Sequence, residues 1–157
     1  MVEMSGHSST IADVKFSRRK RALATRRAII EAAHAVTEPD AAQSLRIFVR
    51  GAGEVFARAA AISEVLRAAA LTDDEIRRTH DYHENLRRIG FRQVLEILQQ
   101  KAPLRAGRTL DEATDAFMTI YGDSTYHLLT SERGWSHDMV IEWLCEVLPE
   151  LLLDDSG

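Results

Sequence analysis

The chain has 157 residues, with 20 Lys and Arg against 24 Asp and Glu, for a formal charge of -4. That length suits one domain burying roughly 70% of its unfolded surface, and 45% hydrophobic with 28% charged residues excludes a disordered or low-complexity chain. No apolar run is long enough to span a bilayer, residues 1–16 lack the core of a signal peptide, and the single cysteine, Cys145, excludes an internal disulfide and any all-cysteine zinc site; a cytoplasmic protein with no membrane partner is expected.

Residues 1–16 are polar and aperiodic and read as a flexible tail. From Ser17, a candidate N-cap, the run to Val36 reads as a helix with a thin apolar stripe of Leu23, Ile29, Ile30, Ala33 and Val36. Thr37, Glu38 and Pro39 interrupt it, and Asp40 can cap the next helix. There Leu45, Phe48, Val49, Ala52, Val55, Phe56 and Ala59 keep helical spacing. Gly51 and Gly53 each weaken that helix by roughly 1 kcal/mol relative to alanine, which predicts a bend or a close packing contact. Ile62, Val65, Leu66, Ala69 and Ala70 continue the pattern in a short alanine-rich segment. Thr72 with Glu75 has capping-box spacing and opens a helix to about Lys101, with Ile76, His83, Leu86, Gly90, Val94 and Ile97 on one side. Pro103 stops it and Gly107 turns the chain. Thr109 with Glu112 is a second capping box, starting a helix through Phe117, Tyr121 and Leu128 to residue 131. Gly134 ends it, Ser136 caps the last helix, and Trp135 can staple onto Val140. A wide stripe of Val140, Trp143, Leu144, Val147, Leu148, Leu151 and Leu152 follows, with Pro149 inside it predicting a kinked or frayed last turn. No segment alternates like a strand for long. The pattern predicts an all-α fold of about six helices, divided into a tail (1–16), a basic helix (17–36) and a body (38–153).

Charge is uneven along the chain. Residues 1–36 hold seven bases against three acids, a surplus of four, so the remaining 121 residues carry -8. Arg18, Arg19, Lys20, Arg21, Arg26 and Arg27 lie on one predicted helix and supply phosphate-binding charge through counterion release. Weak, sequence-indifferent contact with nucleic acid is the most this cluster predicts.

The segment YHLLTSERGWSHDMVIEWLCEVLPELLL, residues 126–153, resembles the C-terminal end of tetracycline-repressor-type (TetR family) transcriptional regulators. The shared features are a helix, the turn from Glu132 to Ser136, and a closing helix with tryptophan and leucines. The run TLDEATDAF at 109–117, the stretch Glu38 to Ala41 with its following helix, and Val65 to Ala70 are similar to other parts of the same ligand domain. The resemblance implies transcription regulation by a domain over 38–153 that binds a small, largely apolar effector and forms a homodimer through a four-helix bundle. Leu128, Val140, Trp143, Leu144, Val147 and Leu151 are then the candidate dimer contacts, a reading that the width of the last stripe also supports. Phe48, Phe56, His83, Phe91, Phe117 and Tyr121 are the candidate pocket residues.

KRALATRRAIIEAAHAV, ending at Val36, resembles the first helix of the family's DNA-binding head, but the glycine turn, bracing helix and recognition helix that should follow are missing. Reading bases in the major groove takes two helices and a short turn. Specific DNA binding is therefore not expected. The rival reading is a protein-interaction module that heterodimerises with a full-length regulator, and it needs no cavity.

Other chemistry finds little support. His80 and His83 stand three apart, and Glu31 with His34 has E-x-x-H spacing, but a di-metal bundle needs a second such copy and two more inward carboxylates. No metal or other cofactor is expected; His83 is expected to line the interior and His80 to be partly exposed. Cys145 beside Leu144 reads as a packing residue. Ser, His, Asp and Cys fall into no catalytic arrangement, so an enzyme is not expected.

Overall fold

The computed structural model describes residues 34–154, and every regular element among them is helical. After a short helical stretch at 34–37 come α1 (Ala41–Ala69), α2 (Asp74–Gln99), α3 (Leu110–Ile120), α4 (Asp123–His127), a π-helical turn (Leu128–Glu132) and α5 (His137–Leu152). The all-α expectation is met. The tail 1–16, the bases Arg18, Arg19, Lys20, Arg21, Arg26 and Arg27, and Glu31 lie outside the described residues.

α1 is one unbroken helix of 29 residues, so the alanine-rich segment is its second half rather than a separate element. The Asp40 side chain accepts from the Gln43 amide at 2.5 Å and satisfies one of the orphan donors of the first turn. The glycines do not interrupt it. Gly53 instead lets α5 approach closely, because a Cβ there would stand 3.1 Å from Cδ1 of Ile141. α2 is capped by Asp73, which accepts from the amides of Glu75 and Ile76 at 2.8 and 3.1 Å. Thr72, the expected cap, lies one residue too early and bonds back to Ala69. One Asp73 carboxylate oxygen accepts from two first-turn amides, which a single hydroxyl at 72 would not reach together.

Thr109 and Glu112 form the predicted reciprocal capping box at the start of α3. The helix expected to run to 131 stops at Ile120, since Gly122 takes an extended conformation before α4 begins. A Cβ at Gly122 would fall 2.6 Å from the Met118 carbonyl oxygen, so the break depends on glycine. Gly134 then turns the chain with φ of +72°, and Ser136 caps α5 by accepting from the Met139 amide at 3.2 Å. Trp135 meets Trp143 edge-on at 6.1 Å.

Pro149 is buried inside α5, yet the helix continues to Leu152 instead of fraying. Proline has no N–H for the carbonyl four residues earlier, that of Cys145. Arg46 of α1 supplies the missing donor, its Nε lying 3.3 Å from the Cys145 oxygen, and the Cys145 thiol donates to the Arg46 carbonyl at 3.8 Å. Burial pushes that thiol above its ordinary value, which keeps it protonated as a donor. Leu104 pairs with Leu153, and the Arg105 amide donates to the Leu152 carbonyl at 3.0 Å, pinning the end of α5.

α1 is the central element and packs against α2, α4 and α5, while α3 lies across α2 and α5. The core unites Leu45, Val49 and Phe56 with Phe91, Leu95 and Leu98, Ala113 and Phe117, and Val140, Leu144, Leu148 and Leu152. A fully buried side chain such as Phe117 contributes about 1.5–3 kcal/mol through its removal from water. At the base of the bundle Lys101 Nζ donates to the Ala35 carbonyl at 2.7 Å and the Ser44 hydroxyl at 2.8 Å, and that hydroxyl donates to the same carbonyl. No described helix is long and apolar enough to cross a membrane.

Candidate functional site

Along α1 the inward row Leu45, Val49, Phe56 and Ala60 continues into Ser63 and Arg67. Along α2 the row Leu98, Leu95 and Phe91 continues into Arg87, Glu84 and His80. The faces that meet as hydrocarbon near the start of α1 therefore part as polar walls near its end. Met118 and Thr119 of α3 and residues 122–125 close the bottom, leaving an open cleft of about 300 Å³.

Its charges are arranged in pairs. Arg67 donates to both carboxylate oxygens of Glu64, at 2.8 and 2.6 Å, and also to the Ser124 hydroxyl. The guanidinium holds the Glu64 carboxyl below the usual carboxylate range. Arg87 stands between two acids, with Glu84 3.2 Å from Nη2 and Asp123 3.1 Å from Nη1. Its Cζ also lies 5.9 Å from the Phe91 ring centre, a cation–π contact where cleft and core join. Asp123 is only 14% exposed and faces that guanidinium. Nε of Arg87 is shielded from solvent and donates no hydrogen bond. The His80 side chain is 24% exposed on the cleft wall, its Nδ1 3.4 Å from Asp81.

The aromatic pocket candidates have a different place. Phe56 stacks on Tyr121 at 4.1 Å, Phe91 lies 4.6 Å from Phe117, and Phe48 meets both Phe117 and Tyr121 at 6.3 Å. These rings fill the space between α1, α2 and α3 with one another, and none of them lines the cleft. Phe48 alone also borders a small apolar niche of about 130 Å³ with Val36, Val94 and Ile97. The Tyr121 hydroxyl is buried without a partner, and desolvation raises its pKa above the ordinary phenol value. His83 is exposed rather than interior, and His80 takes the inward position instead. The inward row runs through 80, 84, 87 and 91, one residue and so about 100° around the helix from the stripe of His83, Leu86 and Gly90.

The dimer candidates also separate. Val140 and Leu144 are buried in the protomer's own core and cannot form an outer contact. Trp143, Val147 and Leu151 are half-buried, and Leu128 is 40% exposed. Met139, 53% exposed and absent from the sequence-derived set, precedes Trp143 and Val147 at steps of four and extends their row along the outer side of α5. Its spacing carried that signal.

Tyr126 Oη and His137 Nδ1 lie 3.0 Å apart, tying α4 to the start of α5. Among the described residues no group of three or more His, Cys, Asp or Glu is placed to hold a metal ion. No protein-family model matches the chain, and no curated protein or solved structure shows significant similarity to it.

Proposed function

We infer that the chain is a TetR-like transcriptional-regulator module that senses a small molecule and dimerises, without a sequence-reading DNA head of its own. The observation that carries this reading is the cleft between α1, α2 and α4, about 300 Å³ in a body whose aromatic interior is filled by its own rings. Volumes from about 300 Å³ upward with convergent polar groups are typical of small-ligand sites. The polar walls shift the expected effector from apolar to polar. The row Met139, Trp143 and Val147 supports self-association through α5, and the buried Cys145 thiol supports a reducing, cytoplasmic setting. With no nucleophile–base pair in the cleft, the module reads as a binder and not an enzyme.

Light scattering on the full chain and on Trp143→Glu tests the assembly. A dimer that becomes a monomer on substitution agrees with this reading, and a wild-type monomer at micromolar concentration contradicts it. Titration against a random DNA pool at low salt and at about 150 mM tests the missing head; binding should be indifferent to sequence and fall steeply with salt. Enrichment of one palindrome at the higher salt would show that the basic N-terminus reads DNA after all.

The filled aromatic interior favours a second reading, in which the chain pairs with a full-length relative and needs no effector. Mixed dimers with such a relative, together with indifference of the cleft to every small molecule tried, would select it.

A further inference from the structure

We propose that the cleft binds a small zwitterion, a molecule carrying both a carboxylate and a protonated amine, as a free amino acid does. This rests on the reading of the cleft as the effector site and adds the chemical class of the effector.

Charge balance gives the class. The walls carry three carboxylates, Glu64, Glu84 and Asp123, and two guanidinium groups, Arg67 and Arg87, with His80 beside them. A purely anionic ligand would add to an excess of negative charge, and a purely cationic one would face both arginines in a confined space. A ligand with one charge of each sign matches both sets and leaves the net charge of the site unchanged. The two signs alternate over short distances, because each arginine sits against its acid at 2.6–3.2 Å.

Arg87 supplies the second argument. Its Nε donates no hydrogen bond, although its two terminal nitrogens are held by acids and the group lies against a phenyl face. Shielded donors without acceptors are rare in folded proteins. A small rotation of the guanidinium into the cleft would hand that donor to an incoming carboxylate. The same rotation loosens its hold on Glu84 and Asp123 and frees them for the ligand's amine. Arg67 can act alike on the α1 wall. Met118 and the Ser63 hydroxyl remain to meet the rest of the ligand.

The test is a titration of the full chain with the twenty amino acids, followed for each by its N-acetyl derivative and its amide. Amide-resonance shifts at residues 122–125 report occupancy of the cleft. At least one amino acid should bind and raise the melting temperature, and blocking either end should weaken it about tenfold or more. Arg87→Gln should lose the same factor; if that variant misfolds, Arg67→Gln serves instead. Binding of an N-acetyl derivative as tightly as its parent would overturn the zwitterion while leaving a sensing cleft intact. No shift at residues 122–125 with any of these probes at millimolar concentration would also overturn it. A neutral polar molecule that did shift those resonances would then preserve the sensor reading, and failure of such molecules as well would remove both.

Discussion

The lower and upper halves of the α1–α2 pair share one backbone and one packing direction and differ only in side chains. Below Ala60 and Arg87 the facing rows are Leu, Val and Phe; above them they are Ser, Arg, Glu and His. The lower half closes because apolar rows gain by excluding water. The upper half stays open because paired charges gain little from leaving water. Stability and recognition are thus placed end to end on the same two helices, and substitutions should sort by position along them.

The largest effect should come from the lower half. Phe117→Ala removes the ring at the centre of the aromatic cluster and should lower unfolding free energy by about 3–5 kcal/mol in a denaturant titration. Ser63→Ala in the cleft should stay within about 0.5 kcal/mol of wild type. Equal losses would dissolve the distinction between the halves.

An intermediate effect is expected where α1 meets α5. Arg46→Met strands the Cys145 carbonyl that Pro149 leaves unpaired and should cost about 1–3 kcal/mol. In a Pro149→Ala background the helix can supply its own donor, so the same substitution should cost less. Identical costs in both backgrounds would show that Arg46 acts by packing alone.

Tyr121→Phe should be neutral or stabilising by about 1 kcal/mol, because it deletes a buried hydroxyl that has no partner. It also carries a pH signature. Burial raises the Tyr121 pKa in the folded state, so the unfolded chain loses its proton first as pH rises past the ordinary value of 10.0. Stability is unaffected below that value and falls above it, by up to about 1.4 kcal/mol per pH unit. The phenylalanine variant should lack this slope.

The smallest effect belongs to the cleft in acid. Arg67 depresses the Glu64 carboxyl in the folded state, so its contribution is present at neutral pH and lost as pH falls through the carboxylate range. Being exposed to solvent, the pair should shift the urea midpoint only slightly between pH 7 and pH 3 relative to Glu64→Gln. A large shift would mean that the upper half also stabilises the fold.

Much of the framework was legible in the residues. Thr109 with Glu112, Ser136 and Asp40 mark helix starts through local chemistry that needs no tertiary partner. The break at Gly122 was not legible, because Phe117, Tyr121 and Leu128 keep helical spacing straight across it. Nor was the length of α1, although the close packing that its glycines predict is met at Gly53 against Ile141. Of the cleft almost nothing is legible in the sequence. Its arginines, acids and His80 resemble solvated surface when hydrophobicity is the guide. The available signal was register: 63 and 67 extend the row of Phe56 and Ala60, and 87, 84 and 80 extend that of Phe91 and Leu95. The apolar spacing of α2 points instead to His83 and Leu86, which are exposed.

The π-helical turn at Leu128–Glu132 bears on how the gene can change length. Such a turn is a helix carrying one surplus residue, and here its last amide reaches back five positions, from Arg133 to Leu128. Loss of one codon between 129 and 131 would tighten it to an ordinary helical turn. Everything downstream would swing by about 100°, but the next four residues, 133–136, are irregular and can absorb that rotation before Ser136 caps α5. The same deletion inside α3 would turn Phe117 or Tyr121 out of the core. Lengths differing by one residue in this segment should therefore be compatible with a single fold.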